Sequence, residues 1–397
     1  MELLIKKKID LIAEYIFNKI ERKEKEVLSF GLYSGGFGIL LFLFYYSRYS
    51  QKQKHVILTE QYTERLLRFF ITETKFHTFG SGFSGALYLF KFLREYEFID
   101  IDVDNNQPAL DNYLISRMKN DIEQQYYDFM HGALGVGLYF LRKGNNSDCI
   151  NELIDFLYNT AEKDPENHIF KWKTTISHEH NLIGYNPSLS HGVASIIIFL
   201  SRVINSGKKD AKIMELLYGA VNYILSLQKN ITEFGSYFPH YIITNSQEPV
   251  SKSRLSWCYG DLGIGLALWR AGNSINNNEW KEKGLEILLQ STKRRFSTDT
   301  FIIDAEICHG SAGIALIFRR MYLETTIEQF KEATDFWIKQ TLSFSEHEDG
   351  LVGFKTYMKG EWIGDYSLLT GISGIGLVLL SYITNDMQNW DEMLLLS

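Results

Sequence analysis

Two of the three cysteines and three of the ten histidines stand in a single phase relative to a recurring glycine. Cys308 and His309 hold the second and first positions before Gly310, Cys258 the second before Gly260, and His191 the first before Gly192. His131 directly precedes Gly132, and Asp128 lies three residues ahead of His131. Taken singly these residues have ordinary readings, because free cysteine is among the most buried residue types and a lone histidine is usually a satisfied core group. In common register they suit a metal: two thiolates and an imidazole are donors that zinc favours in tetrahedral sites. Three protein ligands leave a fourth position open, which separates a catalytic zinc site from a closed structural one. Neighbouring residues on a regular helix diverge by about 100°, so Cys308 and His309 must lie on an irregular turn of the kind Gly310 permits. With cysteines only at 149, 258 and 308, no disulfide framework is expected.

The elements that must position these groups follow from the glycines. Seven segments align on a first shared glycine: SGGFGILLFL at Gly35, SGFSGALYLF at Gly82, HGALGVGLYF at Gly132, HGVASIIIFL at Gly192, YGDLGIGLAL at Gly260, HGSAGIALIF at Gly310 and TGISGIGLVL at Gly371. Six repeat glycine three residues later, and the fourth has Ser195 there. Successive anchors are 47, 50, 60, 68, 50 and 61 residues apart, room for two helices and their connections. Each unit reads as a helical hairpin: a glycine turn, a buried apolar inner helix, then an amphipathic outer helix such as Ala211-Ile213-Leu216-Leu217-Ala220-Ile224-Leu225. Units that cannot bury an apolar helix alone must stack on one another. The inner segments are uniformly apolar and neither terminal unit shows a polar capping face. A closed, double-layered α/α toroid of seven hairpins is therefore expected, all-α in class, with residues 1–397 forming one domain. Positions just ahead of the anchors then fall at one end of the toroid, which gathers scattered polar groups into one site. Ser195 threatens to shift the helix that follows His191.

The motifs Trp257-Cys258-Tyr259-Gly260 and Cys308-His309-Gly310, set within glycine-anchored repeats from Gly35 to Gly376, resemble the lanthionine synthetase C-like cyclases. The order and register of the motifs carry the match, since each alone is short. The resemblance implies a double-layered α/α toroid and one zinc ion held by Cys258, Cys308 and His309. Tyr127-Asp128, His191-Gly192 and Arg254, four residues before Cys258, match family positions linked to catalysis. The implied reaction is Michael-type addition of a peptide cysteine thiol to dehydroalanine or dehydrobutyrine, closing a (methyl)lanthionine ring in a ribosomally made precursor peptide. Zinc coordination removes the thiol proton. Attack on the β-carbon builds negative charge on the carbonyl oxygen as an enolate, whose α-carbon needs a proton. His191 is the first candidate donor. Asp128 orients the imidazole or takes the thiol proton, and Arg254 holds Asp128 or stabilises the developing charge; these assignments are interchangeable at this level. His131 has no role to carry over and is placed to hydrogen-bond the Asp128 carboxylate.

Composition removes other classes. The net charge is -7 and no Lys/Arg stripe is interleaved with aromatics, which argues against nucleic acid. Lys6-Lys7-Lys8 and Lys293-Arg294-Arg295 read as solvated helix faces. The N-terminal MELLIKKKIDLIAEYIFNKIERKEKE mixes charge with apolar residues at helical spacing, so it reads as a helix and not a signal peptide. The longest apolar run, Phe37 to Tyr46, is about half the ~20 residues that span a bilayer, and a cytoplasmic location is expected. The first repeat begins about thirty residues into the chain, which leaves no room for a dehydratase or kinase domain. A separate dehydratase is thus an expected partner, with the dehydrated precursor peptide and an export transporter. One alternative is a family member that adds glutathione to dehydroamino acids in proteins. The segments Ser256 to Asp261 and Asp304 to Ser311 contain no lysine or arginine and carry Asp261, Asp304 and Glu306, surroundings that disfavour glutathione's carboxylates. Prenyltransferases on α/α toroids would need an aspartate-rich diphosphate motif. A non-catalytic, zinc-containing peptide-binding scaffold would have no use for Asp128, His191 and Arg254.

Overall fold

The computed structural model describes residues 1–73, 76–100, 108–144, 147–177, 179–247, 249–384 and 389–397, with 70–73 described by their backbone alone. In chain order the helices are α1 (Glu2–Glu21), α2 (Gly36–Ser50), α3 (Gln53–Glu73), α4 (Phe83–Glu95), α5 (Pro108–Glu123), α6 (Ala133–Lys143), α7 (Ser147–Thr160) and α8 (Val193–Asn205). They continue with α9 (Ala211–Ser226), α10 (Ile231–Phe234), α11 (Asp261–Ile275), α12 (Asn278–Ser291), α13 (Ser297–Thr300), α14 (Ser311–Thr325), α15 (Glu328–Ser343) and α16 (Ile372–Thr384). The expected inner helices α2, α4, α6, α8, α11, α14 and α16 each begin at the residue after an anchor glycine. Their first turns pack against the carbonyls of the preceding loop. A Cβ on Gly85, Gly313 or Gly374 would lie 1.8–1.9 Å from the carbonyl oxygen of Phe79, Ile307 or Leu368, which only glycine avoids. Ser195 does not disturb its helix: Gly192 caps α8 at φ -138°, ψ -159°, close to the -127°, -158° of Gly132 ahead of α6. The Ser195 hydroxyl donates to the Gly192 carbonyl at 2.7 Å.

Contacts cluster in two units, Met1–Gln107 with Ile302–Ser397, and Pro108–Phe301. In the first, α16 packs on α2 and α14, and α2 on α4; α3 backs α2, α15 backs α14 and α1 backs α16. Among the described residues no α-helix follows α16, so the N-terminal helix supplies the outer layer of the last hairpin. Its buried stripe, Ile5, Ile9, Ile12, Ile16 and Ile20, recurs at three- and four-residue steps as such a helix requires. In the second unit the inner helices α6, α8 and α11 are neighbours, backed by α7, α9 and α12. Helix α9 buries Ile213, Leu216, Leu217, Ala220 and Ile224, and Asp210 caps it by accepting the Ile213 N–H at 2.9 Å.

The three longest repeats hold something the hairpin reading does not include. Strands β1 (Glu162–Asp164), β2 (Ile169–Lys171), β3 (Lys173–Ser177), β4 (Leu182–Tyr185), β5 (Ile242–Ile243), β6 (Thr356–Met358) and β7 (Glu361–Ile363) all lie in them. They form antiparallel β1-β2 and β6-β7 pairs and a β3-β4-β5 sheet. Stretches such as Lys173-Thr174-Thr175-Ile176-Ser177 are polar and β-branched, which favours strand over helix. Among the described residues no helix is long and apolar enough to cross a membrane.

Candidate active site

Six of the seven turns ahead of the inner helices share one wiring; the exception is the turn ahead of α2, where Gly31 holds the position. Four residues before the anchor glycine, a polar side chain accepts the N–H of the residue just before that glycine. Thr78 takes it from Ser81 at 3.3 Å, Asp128 from His131 at 2.8 Å and Ser188 from His191 at 3.2 Å. Ser256 takes it from Tyr259 at 3.2 Å, Glu306 from His309 at 2.7 Å and Ser367 from Thr370 at 3.4 Å. Short polar side chains bonding the backbone just ahead are ordinary turn formers. Where a carboxylate stands in for a hydroxyl, at Asp128 and Glu306, the additional lone pairs hold a histidine ring as well.

In the Pro108–Phe301 unit, Asp128 Oδ2 meets His191 Nδ1 at 2.6 Å, with side-chain exposures of 10% and 31%. Burial opposes both charges, pushing Asp128 up and His191 down. The contact outweighs it: Asp128 lies below the ordinary carboxylate range and His191 above the ordinary imidazole one, with Cys258 adding to the latter. The exposed ring of His131 stacks on His191 at 5.8 Å, and Tyr259 stands 6.4 Å from it. Cys258 is 6% exposed, and its carbonyl accepts both the N–H of Ser190 at 3.2 Å and the Ser190 hydroxyl at 3.1 Å. These bonds tie the turn of Cys258 to the turn of His191. Gly260, at φ +91°, closes the Cys258 turn in a left-handed conformation, where a Cβ would also meet the Arg254 carbonyl oxygen at 2.4 Å.

In the other unit, Cys308 and His309 occupy the irregular turn ahead of α14, as expected. Glu306, wholly buried, reaches His309 Nδ1 with Oε1 at 2.9 Å and accepts the Cys308 N–H with Oε2. The N–H groups of Ile307 and Cys308 both donate to the Leu369 carbonyl, at 3.1 and 3.0 Å. A carboxylate on Nδ1 selects the tautomer whose lone pair is on Nε2, the arrangement common to metal-binding histidines.

Thus Asp128, His191 and Cys258 meet within one unit, and Cys308 and His309 within the other. His131 reaches Asp128 through its backbone N–H and not its ring. Arg254 does not hold Asp128: among the described residues it makes no ion pair, and its charge acts on His240. Asp261 is fully buried, paired with Arg294 at 3.3 Å and accepting the N–H groups of Tyr237 and Phe238; Arg294, read from sequence as part of a solvated helix face, lies beyond α12, is itself buried and also donates to the Ser253 and Asp299 carbonyls. Asp304, 1% exposed, accepts the Tyr357 N–H at 3.0 Å. The acidic residues beside the zinc motifs are therefore buried braces of the turns and not solvated charges. Sequence reasoning missed three participants: Glu306 as a brace, Tyr259, and His240. The polar position four residues before six of the seven anchors would have revealed the first.

The sequence profile of the family described as "Lanthionine synthetase C-like protein" matches residues 26–395. A relative, "Nisin biosynthesis protein NisC" from Lactococcus lactis subsp. lactis, is 24% identical over 402 residues, spanning 99% of this chain and 83% of the relative. A solved structure, "Nisin cyclase", matches with a TM-score of 0.79 at 21% identity, covering 97% of this chain and 96% of that one. That likeness shows the fold, the α/α toroid expected from the repeats.

Proposed function

Because the chain belongs to the lanthionine synthetase C-like family, we propose that it is a cyclase adding a peptide cysteine thiol to dehydroalanine or dehydrobutyrine in a dehydrated precursor peptide. The observation that carries this reading is the Asp128–His191 pair, a buried carboxylate 2.6 Å from an imidazole that it holds above its ordinary pKa, in the turn bonded to that of Cys258. Cys258, Cys308 and His309 are the proposed zinc ligands. Two thiols and an imidazole are a donor set suited to zinc, and the Glu306 carboxylate on His309 Nδ1 supports it. Zinc, when bound, lowers the pKa of a coordinated thiol, so that the substrate sulfur is delivered as thiolate.

The chain's own residues do the rest. Asp128 is buried and ionised, with its oxygens on His191 and the His131 amide, so it orients and charges the imidazole. His191, partly exposed and held above its ordinary pKa, donates the proton to the α-carbon as the S–Cβ bond forms and the enolate collapses. The cation of Arg254 and the phenol of Tyr259 are donors for the enolate oxygen. The proton that the thiol releases goes to solvent and one returns from solvent to His191 after the step, so the net reaction adds S–H across the Cα=Cβ bond, nothing is oxidised and nothing leaves. A separate dehydratase, an export transporter and a cytoplasmic setting complete the proposal.

The test supplies the zinc-loaded protein with a dehydrated, cysteine-containing peptide. Ring closure registers as loss of thiol alkylation at unchanged mass. Arg254, without an ion pair among the described residues, favours a second reading, addition of glutathione through its carboxylates. Glutathione adducts, seen as a mass increase, with no ring closure across several peptides would establish that reading and remove the first.

A further inference from the structure

His240 lies between α10 and α11 and belongs to none of the repeated motifs. An antiparallel bridge between Pro239 and Lys252 sets its position, with the His240 N–H donating to the Ser251 carbonyl at 3.2 Å and the Ser253 N–H to Ser236 Oγ at 3.1 Å. This crossing lays His240 along the segment that runs through Arg254 to Tyr259. The two rings stack nearly face to face, 4.3 Å between centroids and 7° between planes. The Tyr259 hydroxyl lies 3.4 Å from Asn186 Nδ2, which donates to it, and the same phenol ring stands 6.4 Å from His191.

We propose that His240 is a positioning residue, whose ring fixes the Tyr259 phenol beside His191 in the orientation that the addition step uses. The inference rests on the reading of the Asp128–His191 cluster as the cyclase centre. A donor aimed at a developing oxyanion is effective only when it is held in place before the charge appears, and misplacement by about 1 Å costs on the order of 10²-fold in rate. The Ser256 turn holds the Tyr259 backbone, through the Tyr259 N–H at 3.2 Å and the Ser256 hydroxyl on the Tyr259 carbonyl at 3.0 Å. Backbone restraint leaves the side-chain torsions to be set by what the side chain touches; the flat face of His240 meets the ring, and the Asn186 amide meets the hydroxyl. Burial, with Arg254 adding to it, holds His240 down at about 4. It is therefore a neutral ring near neutral pH and adds no positive charge beside Arg254. Position, not titration, is its contribution, so a phenyl ring will serve in its place.

The test is a double-mutant cycle on the zinc-loaded protein, with zinc content and Tm measured for each variant. His240→Ala is expected to lower kcat for ring closure about 10-fold with KM little changed, and His240→Phe to restore most of that loss. In a Tyr259→Phe background, His240→Ala should cost nothing further in kcat. An equal, additive loss in that background, or a His240→Phe variant as slow as His240→Ala, overturns the proposal. If the wild-type protein closes no ring, the cyclase reading falls, and the stack is read without peptide. The His240 Hε1 resonance should lie upfield in the wild type and move downfield in Tyr259→Leu. An unmoved resonance overturns the positioning role.

Discussion

Asp128→Asn separates the two duties of the Asp128 side chain. Its Oδ1 accepts the His131 N–H at 2.8 Å, a bond that an asparagine oxygen can also accept, so the turn ahead of α6 should persist. Its Oδ2 meets His191 Nδ1 at 2.6 Å, and there the charge is lost. With the asparagine oxygen kept on the His131 N–H, its NH2 faces His191 and cannot accept the Nδ1–H, so the whole charge-assisted bond, about 1.5–3 kcal/mol of support for the imidazolium, is lost. At about 1.4 kcal/mol per factor of ten, kcat near neutral pH should fall about 10- to 100-fold, at or below the 10²- to 10⁴-fold expected for His191→Ala, which removes the acid itself. The pH dependence carries the sign. His191 is raised by Asp128, so its stabilisation is present below the ordinary histidine pKa and lost as pH rises through the folded value. Asp128 is lowered, so its share is present above the ordinary carboxylate pKa and lost as pH falls through its own. The alkaline limb of the wild-type kcat profile should therefore lie above the ordinary histidine range, and in Asp128→Asn it should move to lower pH. The assay is ring closure across pH with zinc content checked at each point. An Asp128→Asn enzyme with full zinc and an unmoved alkaline limb would refute the assignment of His191 as the donor.

Other outcomes test the metal and the turns. Purified protein should carry one tightly held zinc per chain by elemental analysis, and a Cys258→Ala, Cys308→Ala double variant with undiminished zinc would remove these residues as ligands. Glu306→Gln leaves an acceptor for the His309 N–H but discharges the brace on Nδ1; chelator competition should show zinc affinity about 10- to 100-fold weaker, and equal affinity would show that the brace does not tune the ligand. Gly260→Ala forces a side chain into a φ of +91° with a backbone oxygen 2.4 Å from its Cβ. It should lower stability by about 2 kcal/mol or more, and an unchanged denaturation midpoint would contradict the tight turn.

What the sequence determined by itself was local and periodic. Glycine spacing and continuous apolar runs mark where each inner helix starts, because turn chemistry and helical burial are written in consecutive residues. The same register placed Cys258, Cys308, His309 and His191 just ahead of their helices, where the structure has them. Local sequence also holds a further signal, the polar residue four before six of the seven anchors, which marks Glu306, like Asp128, as a turn former with lone pairs to spare. Only the tertiary structure decided which side chains meet. Asp128 and His191 are 63 residues apart, and it is the packing of α6 against α8 that brings their turns together. The stack of His240 on Tyr259 depends on a bridge between two irregular segments, Pro239 with Lys252, and no periodicity announces such a crossing. The outer partner of α16 is likewise the distant α1, since among the described residues no α-helix follows α16 to cover its apolar face. Asp261 became an internal cap and not a surface charge for the same reason: its side chain is fully buried against Arg294 and the amides of Tyr237 and Phe238, partners that only the folded chain supplies.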